Sequence, residues 1–328
     1  MRSPPQSISI VIPCFNEEAV IPILHSRLKE SLEAIRIPFE VILVDDGSRD
    51  HSWEMLVQLH SEDPRFIAIK LSRNFGHQFA LTCGLDHSSG EVVVIMDADL
   101  QDPPELIGDM IKKWSEGFDV VYGQRIERQG ESLSKRLFAF SFYRIFQRLT
   151  GFALPRDTGD FRLLDRRALV ALLALRERHR FIRGMVSWIG FPQTALQYAR
   201  PQRAAGVTKY PFRKSLKLAI DALVSFSWAP LRLASLLGVV ISAFAFVYIV
   251  VVVLLKIMGI NFPGYTSLMA SILLLGGVQL IVLGIIGEYV GRIFEQGQNR
   301  PLYLVDSIAG TPSFQGTDRS APGARQPS

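Results

Sequence analysis

The segment Glu91–Glu105, EVVVIMDADLQDPPE, carries the residues best suited to chemistry. Asp97 and Asp99 stand one residue apart, directly after the apolar run Val92–Met96, and Gln101 follows them. A run of this kind, bounded by turn formers, predicts a buried parallel strand. Ligands of open α/β sheets sit at the carboxyl ends of such strands. Two carboxylates there concentrate negative charge, which is costly beside a low-dielectric sheet unless a cation neutralises it. Hard oxygen donors favour Mg2+ or Mn2+, typically held by one or two carboxylates plus substrate phosphates. The pattern points to a metal-dependent site for a phosphate-bearing substrate; a solvated, Asp-rich turn is the plain alternative.

The elements that must position these groups follow from periodicity. Strand signals at Ile8–Ile12, Val41–Val44, Phe66–Leu71, Val92–Met96 and Val120–Tyr122 alternate with helical patterns near Glu17–Ile35, Ser52–His60, Gln78–His87 and Pro104–Ser115. Such alternation predicts an α/β fold, a mainly parallel sheet with helices on both faces and right-handed crossovers. Asp102 can cap the helix that Pro104 opens. The first two strand ends, Pro13-Cys14-Phe15-Asn16-Glu17 and Asp45-Asp46-Gly47-Ser48, join Asp97 and Asp99 along one sheet edge. Neither a G-x-G-x-x-G nor a G-x-x-x-x-G-K-[ST] loop occurs, which argues against a Rossmann dehydrogenase and a P-loop kinase. Cys14 and Cys83 show no metal spacing and need not be bridged.

Lys plus Arg number 36 against 31 for Asp plus Glu, a balance that could suit nucleic acid. The bases lie elsewhere than a soluble basic face. Leu233–Leu255 carries no charge and is bracketed by Arg232 and Lys256; a second charge-free run extends from Ile257 to Gly287, broken by Asn261-Phe262-Pro263-Gly264. Each is long enough to span a bilayer core, so a transmembrane hairpin is expected, with spans at about 233–255 and 266–287. Arg203, Lys209, Arg213, Lys214, Lys217 and Arg232 precede it and Arg292 and Arg300 follow, while only Lys256 lies between the spans. That bias predicts both termini on the cytoplasmic side of the membrane. Leu133–Leu149 interleaves aromatics with Lys135, Arg136, Arg144 and Arg148, as an interfacial helix would. The expected organisation is a catalytic domain over 1–210, an amphipathic interfacial helix over 211–232, the hairpin within 233–291, and a tail over 292–328 that is disordered from Ile308 onward.

Six motifs sharpen the reading. VIPCFNEE at Val11–Glu18, VDDGSRD at Val44–Asp50 and DADLQDPPE at Asp97–Glu105 resemble family-two glycosyltransferases of the GT-A fold. YGQR at Tyr122–Arg125, DTGDFRL at Asp157–Leu163, RAAGVTKY at Arg203–Tyr210 and the two spans are similar to the polyprenyl-phosphate branch of that family, over about Ser7–Arg300. The resemblance implies that Pro13, Phe15 and Glu17 line a nucleotide-base pocket, with Asp46 on the base or ribose. It implies Asp97 on the nucleotide side and Asp99 on the metal, assisted by Gln101. Arg125, Arg136, Arg203 and Lys209 match acceptor-phosphate positions, a task suited to cations because a phosphate monoester is already anionic near neutral pH. Asp157 matches a later acidic position near donor sugar and acceptor; Asp160 ranks lower. The processive relatives' Q-x-x-R-W signature is missing, since Arg183 and Trp188 are spaced differently and no Gln precedes them.

The expected activity is an inverting, metal-dependent transfer of one sugar from a nucleotide-diphosphate donor, UDP-glucose first among candidates, to polyprenyl phosphate. Another donor (a UDP-amino-arabinose derivative, UDP-N-acetylglucosamine or GDP-mannose) is the nearest rival, because specificity rests on a few hydroxyl contacts. A non-catalytic subunit that senses nucleotide sugars is the rival from another class, and the intact carboxylate set argues against it. Nucleic acid is not an expected partner. Gly276, Gly277, Gly284, Gly287 and Gly291 offer close-packing positions for a homo-oligomer through the spans.

Overall fold

The computed structural model describes residues 2–126, 144, 147–151, 155, 158–199, 227–258 and 264–311. Eight strands, β1 (Ile8–Cys14), β2 (Phe39–Asp45), β3 (Phe66–Leu71), β4 (Val92–Ile95), β5 (Val120–Arg125), β6 (Thr158–Asp165), β7 (Gln193–Tyr198) and β8 (Val305–Ala309), form one sheet in the order β7-β5-β6-β4-β1-β2-β3-β8. β1 pairs in parallel with β2 and β4, β2 with β3, and β5 with β7. β6 runs antiparallel between β4 and β5, and β8 antiparallel to β3. The sheet is thus mixed and mainly parallel, as the alternating pattern predicts.

The helices α1 (Ile21–Ile35), α2 (Ser52–Glu62), α3 (His77–His87) and α4 (Ile107–Ser115) connect the first five strands. Val41 and Leu43 of β2 face a core with Leu24, Leu28 and Leu32 of α1, Leu56 of α2, and Met110 and Trp114 of α4. Ile42 and Val44 face the opposite way, onto Ala80 and Cys83 of α3. Covering both faces is what makes these strands read as continuous apolar runs rather than as alternation. α3 approaches β1 closely at Gly84, where an added Cβ would stand 2.3 Å from Val11 Cγ1. The chain leaves β1 toward β2 and β3, then returns to β4 on the other side of β1. The carboxyl ends of β1 and β4 therefore flank a topological switch point, where open α/β sheets bind ligands.

Several elements differ from expectation. Helix α1 begins at Ile21, after a turn at Glu17–Val20. Pro104–Leu106 form a 3-10 turn ahead of α4, and the position before that turn is Pro103, with no side-chain cap; Asp102 is occupied elsewhere, as described below. β6, α5 (Arg166–Ala174), α6 (Ile182–Trp188), β7 and β8 were not legible as separate elements. The tail expected to be disordered from Ile308 includes the last two residues of β8, and Val305–Ala309 complete the edge beside β3. An exposed edge strand leaves backbone donors and acceptors unpaired, and covering it removes that liability. Tyr303 reinforces the docking by packing on the α3 side of the sheet and donating its hydroxyl to Asp86 Oδ2 at 2.8 Å.

The second compact unit is built on α7 (Ala229–Ile257) and α8 (Tyr265–Gly297). Mean hydropathy reaches 2.9 within α7 and 2.0 within Ser271–Gly297, and neither segment is buried. Both helices are long and apolar enough to cross a membrane. Tyr289 donates to the Ser227 carbonyl at 2.8 Å, tying α8 to the residues just before α7. The expected interfacial stretches Leu133–Leu149 and 211–232 lie largely outside the described residues.

Candidate active site

The loops after β1, β2 and β3 are laced together at the sheet's carboxyl edge. Asn16 and Glu17 donate their backbone N–H groups to Ser48 Oγ and Ser52 Oγ, both at 2.9 Å. Pro13 is buried within β1, Phe15 beyond it is 36% exposed, and Glu17 is half-buried. Asp46 is buried, with one carboxylate oxygen accepting from Phe75 N at 2.7 Å and the other from Gly76 N at 2.9 Å. Burial raises its carboxyl above the usual range, against the lowering effect of those two bonds. Asp46 thereby fixes the entrance to α3, a duty that its sequence position did not announce.

β4 delivers Asp97 and Asp99 to the same edge, both half-exposed. Asp99 Oδ1 accepts from Gln101 N at 3.1 Å, and Leu100 between them adopts φ +58° with its side chain buried. A non-glycine residue in the left-handed region is strained, and such strain persists where surroundings over-determine the loop. Burial of Leu100 supplies that restraint here.

Asp97 Oδ1 lies 2.9 Å from His77 Nε2, at the start of α3, and His77 Nδ1 lies 3.9 Å from Asp160 Oδ2. Asp160 is buried in β6, and Arg183 of α6 holds it through Nε at 2.8 Å and Nη2 at 3.3 Å. Arg162, also buried, turns back onto the carbonyls of Asp160 and Gly159. Burial alone would raise the Asp160 carboxyl, but Arg183, His77 and Arg162 hold it well below the usual range. Burial likewise opposes charge on His77, and the Asp97 and Asp160 carboxylates outweigh it, raising the imidazole to about 9. The result is an alternating chain of charges running from β4 through α3 and β6 to α6.

A second chain runs toward β5. Asp102 Oδ2 accepts from Asp97 N at 3.3 Å, and Oδ1 accepts from the Tyr198 hydroxyl at 3.0 Å. Burial, aided by the Asp97 charge, pushes the Asp102 carboxyl up to about 7. Burial and Asp102 push Tyr198 up to about 12, against the lowering effect of the Arg125 positive charge. Arg125 and Tyr198 are register partners in the parallel β5–β7 pair. Gly159 makes room for the Arg125 guanidinium, since an added Cβ would stand 2.8 Å from Nη2. Arg125 Nε is buried and has no hydrogen-bond partner among the described residues.

The fold therefore brings Asp97, Asp99, Gln101 and Arg125 to the carboxyl ends of β4 and β5, and Pro13, Phe15, Glu17 and Asp46 to those of β1 and β2. Asp157, Arg136, Arg203 and Lys209 lie outside the described residues. The sequence reading gave no site role to His77, Asp102, Arg162, Arg183 or Tyr198, and ranked Asp160, which lies in the middle of this chain of charges, lower. One signal was available: opposite charges at Asp160 and Arg162 flank Phe161 and precede Leu163 and Leu164, and a charge on a buried strand needs a partner.

The Asp97 and Asp99 carboxylates and the Gln101 amide present an oxygen-rich set that fits a hard divalent cation. His77, Asp97 and Asp160 also converge, with donor atoms within 4.8 Å of one another. That group fits a cation poorly, because Arg183 and Arg162 already supply its positive charge.

Comparison with known proteins places the chain in a family. Residues 9–173 match the family model for glycosyl transferase family 2, and residues 229–293 match the GtrB C-terminal hairpin. The chain is 47% identical over 303 residues to the glycosyltransferase YkcC of Bacillus subtilis, covering 92% of this chain and 94% of that one. It is 38% identical over 299 residues to the SfII prophage-derived bactoprenol glucosyl transferase of Shigella flexneri, covering 91% and 97%. Among solved structures, the mannosyltransferase PcManGT from Pyrobaculum calidifontis, in complex with GDP-Man and Mn2+, aligns with a TM-score of 0.42 at 20% identity, covering 62% and 59%.

Proposed function

Because the chain belongs to glycosyl transferase family 2, we propose that it moves one glucose from UDP-glucose to the phosphate of undecaprenyl phosphate, at the cytoplasmic face of the inner membrane. The observation that carries this reading is the junction of unlike sites: Asp102 accepts from the carboxylate loop after β4 and from Tyr198, the register partner of Arg125, whose Nε is buried. A donor diphosphate suits the first through a cation, and an acceptor phosphate suits the second directly.

Asp99, with Asp97 and Gln101, would hold Mg2+ or Mn2+. When bound, the ion acts as a Lewis acid that stabilises charge gathering on the departing pyrophosphate. The loops carrying Phe15, Glu17 and Asp46 would bind and orient the nucleotide. Arg125, with Arg136, Arg203 and Lys209, would position the acceptor phosphate. Its oxygen forms the new bond to the anomeric carbon as the bond from that carbon to the β-phosphate oxygen breaks. UDP leaves with the electron pair, and configuration at the carbon inverts. No strong base is needed, because the attacking phosphate is already ionised; Asp157 would act beside the sugar, as a weak base, a hydroxyl ligand or an electrostatic aid.

The apolar helices α7 and α8 supply the anchor that such an acceptor demands, since a long prenyl chain leaves the bilayer only at large cost. Gly276, Gly277, Gly284, Gly287 and Gly291 have open space beside them, room for α8 of a second copy in a homo-oligomer.

The test incubates purified full-length protein in detergent with labelled UDP-glucose, undecaprenyl phosphate and Mg2+ or Mn2+. Label should move into the lipid phase, and Asp99→Ala should reduce transfer by roughly a hundredfold or more while the protein stays folded. Absence of lipid-phase label with UDP-glucose, but its appearance with another nucleotide sugar, would replace the donor and keep the reaction class.

A further inference from the structure

The buried pair Asp102 and Tyr198 is the structure's link between the two halves of the site. Asp102 is 1% exposed and Tyr198 4%. Asp102 could have capped the following helical turn from solvent; instead its carboxylate points inward, one oxygen on the backbone of Asp97 and the other on the Tyr198 hydroxyl. Tyr198 gives its hydroxyl proton to Asp102 and stands as the register partner of Arg125 across the β5–β7 pair. Tyr198 also packs edge-on against Phe161 at 5.9 Å between ring centroids, which fixes the ring independently of its hydroxyl. Burying a carboxyl is expensive, and packing alone would be served as well by apolar groups of similar volume. What an apolar pair could not do is transmit position between a loop on β4 and a guanidinium on β5.

We propose that Asp102 and Tyr198 are positioning residues that set the placement of Arg125 relative to the Asp97–Asp99 loop, and so the placement of acceptor phosphate relative to donor. This rests on the reading of Arg125 as an acceptor-phosphate group and deepens it. Tyr198 acts on the acceptor side through its hydroxyl. Asp102 acts on both sides, because it also holds the backbone that carries the donor carboxylates.

The test uses Tyr198→Phe and Asp102→Asn in the full-length protein in detergent micelles. Tyr198→Phe keeps the ring, its volume and the Phe161 contact. It should raise the KM for undecaprenyl phosphate roughly tenfold, since misplacement by a fraction of an ångström to an ångström costs one to two orders of magnitude. UDP affinity in the presence of Mn2+, measured calorimetrically, should stay within about twofold of wild type, and melting temperature should hold. Asp102→Asn should weaken both UDP binding and acceptor use, and the double variant should lose less than the product of the two single losses. If Asp102→Asn fails to fold, Tyr198→Phe still decides. An unchanged acceptor KM in Tyr198→Phe overturns the proposal, as does an equal loss in UDP affinity and melting temperature, which would mark a purely structural tyrosine. Failure of the wild-type protein to glycosylate the lipid would instead sink the underlying reading of function.

Discussion

Gly159→Ala places one methyl group where β6 passes the guanidinium of Arg125. The new Cβ would sit 2.8 Å from Nη2 and 3.7 Å from Cζ, with backbone no nearer than 3.8 Å. Gly159 is not among the glycines with positive φ, so alanine meets no backbone strain there. The whole conflict falls on the flexible end of the arginine. Reaching ordinary contact distance requires a retreat of roughly 0.6 Å or more. A hydrogen bond to a charged group contributes about 1.5–3 kcal/mol, and a shift of this size forfeits roughly half of one. That loss, about 0.75–1.5 kcal/mol, corresponds to a roughly four- to tenfold rise in the acceptor KM. Replacing glycine inside a strand also gains about 0.5–1 kcal/mol in conformational entropy, so the fold should be no less stable. The assay is lipid-phase transfer at saturating UDP-glucose with undecaprenyl phosphate varied, alongside calorimetric UDP binding and a thermal melt. A raised acceptor KM with unchanged UDP affinity and melting temperature is expected. An acceptor KM unchanged by the substitution would refute the assignment of Arg125 to the acceptor phosphate.

Two further predictions concern stability. His77 is raised from 6.5 to about 9 in the folded protein, so its ion pairs stabilise fully below pH 6.5 and are lost as pH rises through about 9. Its side chain is 39% exposed, so water screens the pair and the effect is modest. Melting temperatures of wild type should fall relative to His77→Gln between pH 6.5 and 10; parallel curves would contradict the pairing with Asp97 and Asp160. Truncation before Pro301 removes β8 and Tyr303 and reopens the edge of β3. Losing one partly buried aromatic and a strand's pairing should cost about 2 kcal/mol or more and promote self-association, read by thermal melting and light scattering. Undiminished stability after that truncation would show the β8 contact to be dispensable.

The sequence by itself determined the α/β class, five strands, the helices between them, the carboxylate pair and the two apolar spans. Each is written in a local pattern: β-branched runs between turn formers, Asp97 and Asp99 directly past a strand, and long stretches without charge. Arg125, at the end of β5, came from the resemblance to the polyprenyl-phosphate branch rather than from a local pattern. What only the tertiary structure decided is which distant groups meet. Asp102 and Tyr198 are 96 positions apart, and Asp160 and Arg183 are 23. Their contact depends on β6 inserting antiparallel between β4 and β5, and on the register that sets Arg125 opposite Tyr198. Strand order and register are set by the packing of whole faces, to which no single residue's neighbours in sequence testify. For the same reason Asp102 read as a helix cap, Asp160 as a lesser acid and Ile308 as loose tail. In each instance the partner that gives the residue its role is supplied by a strand or helix remote along the chain.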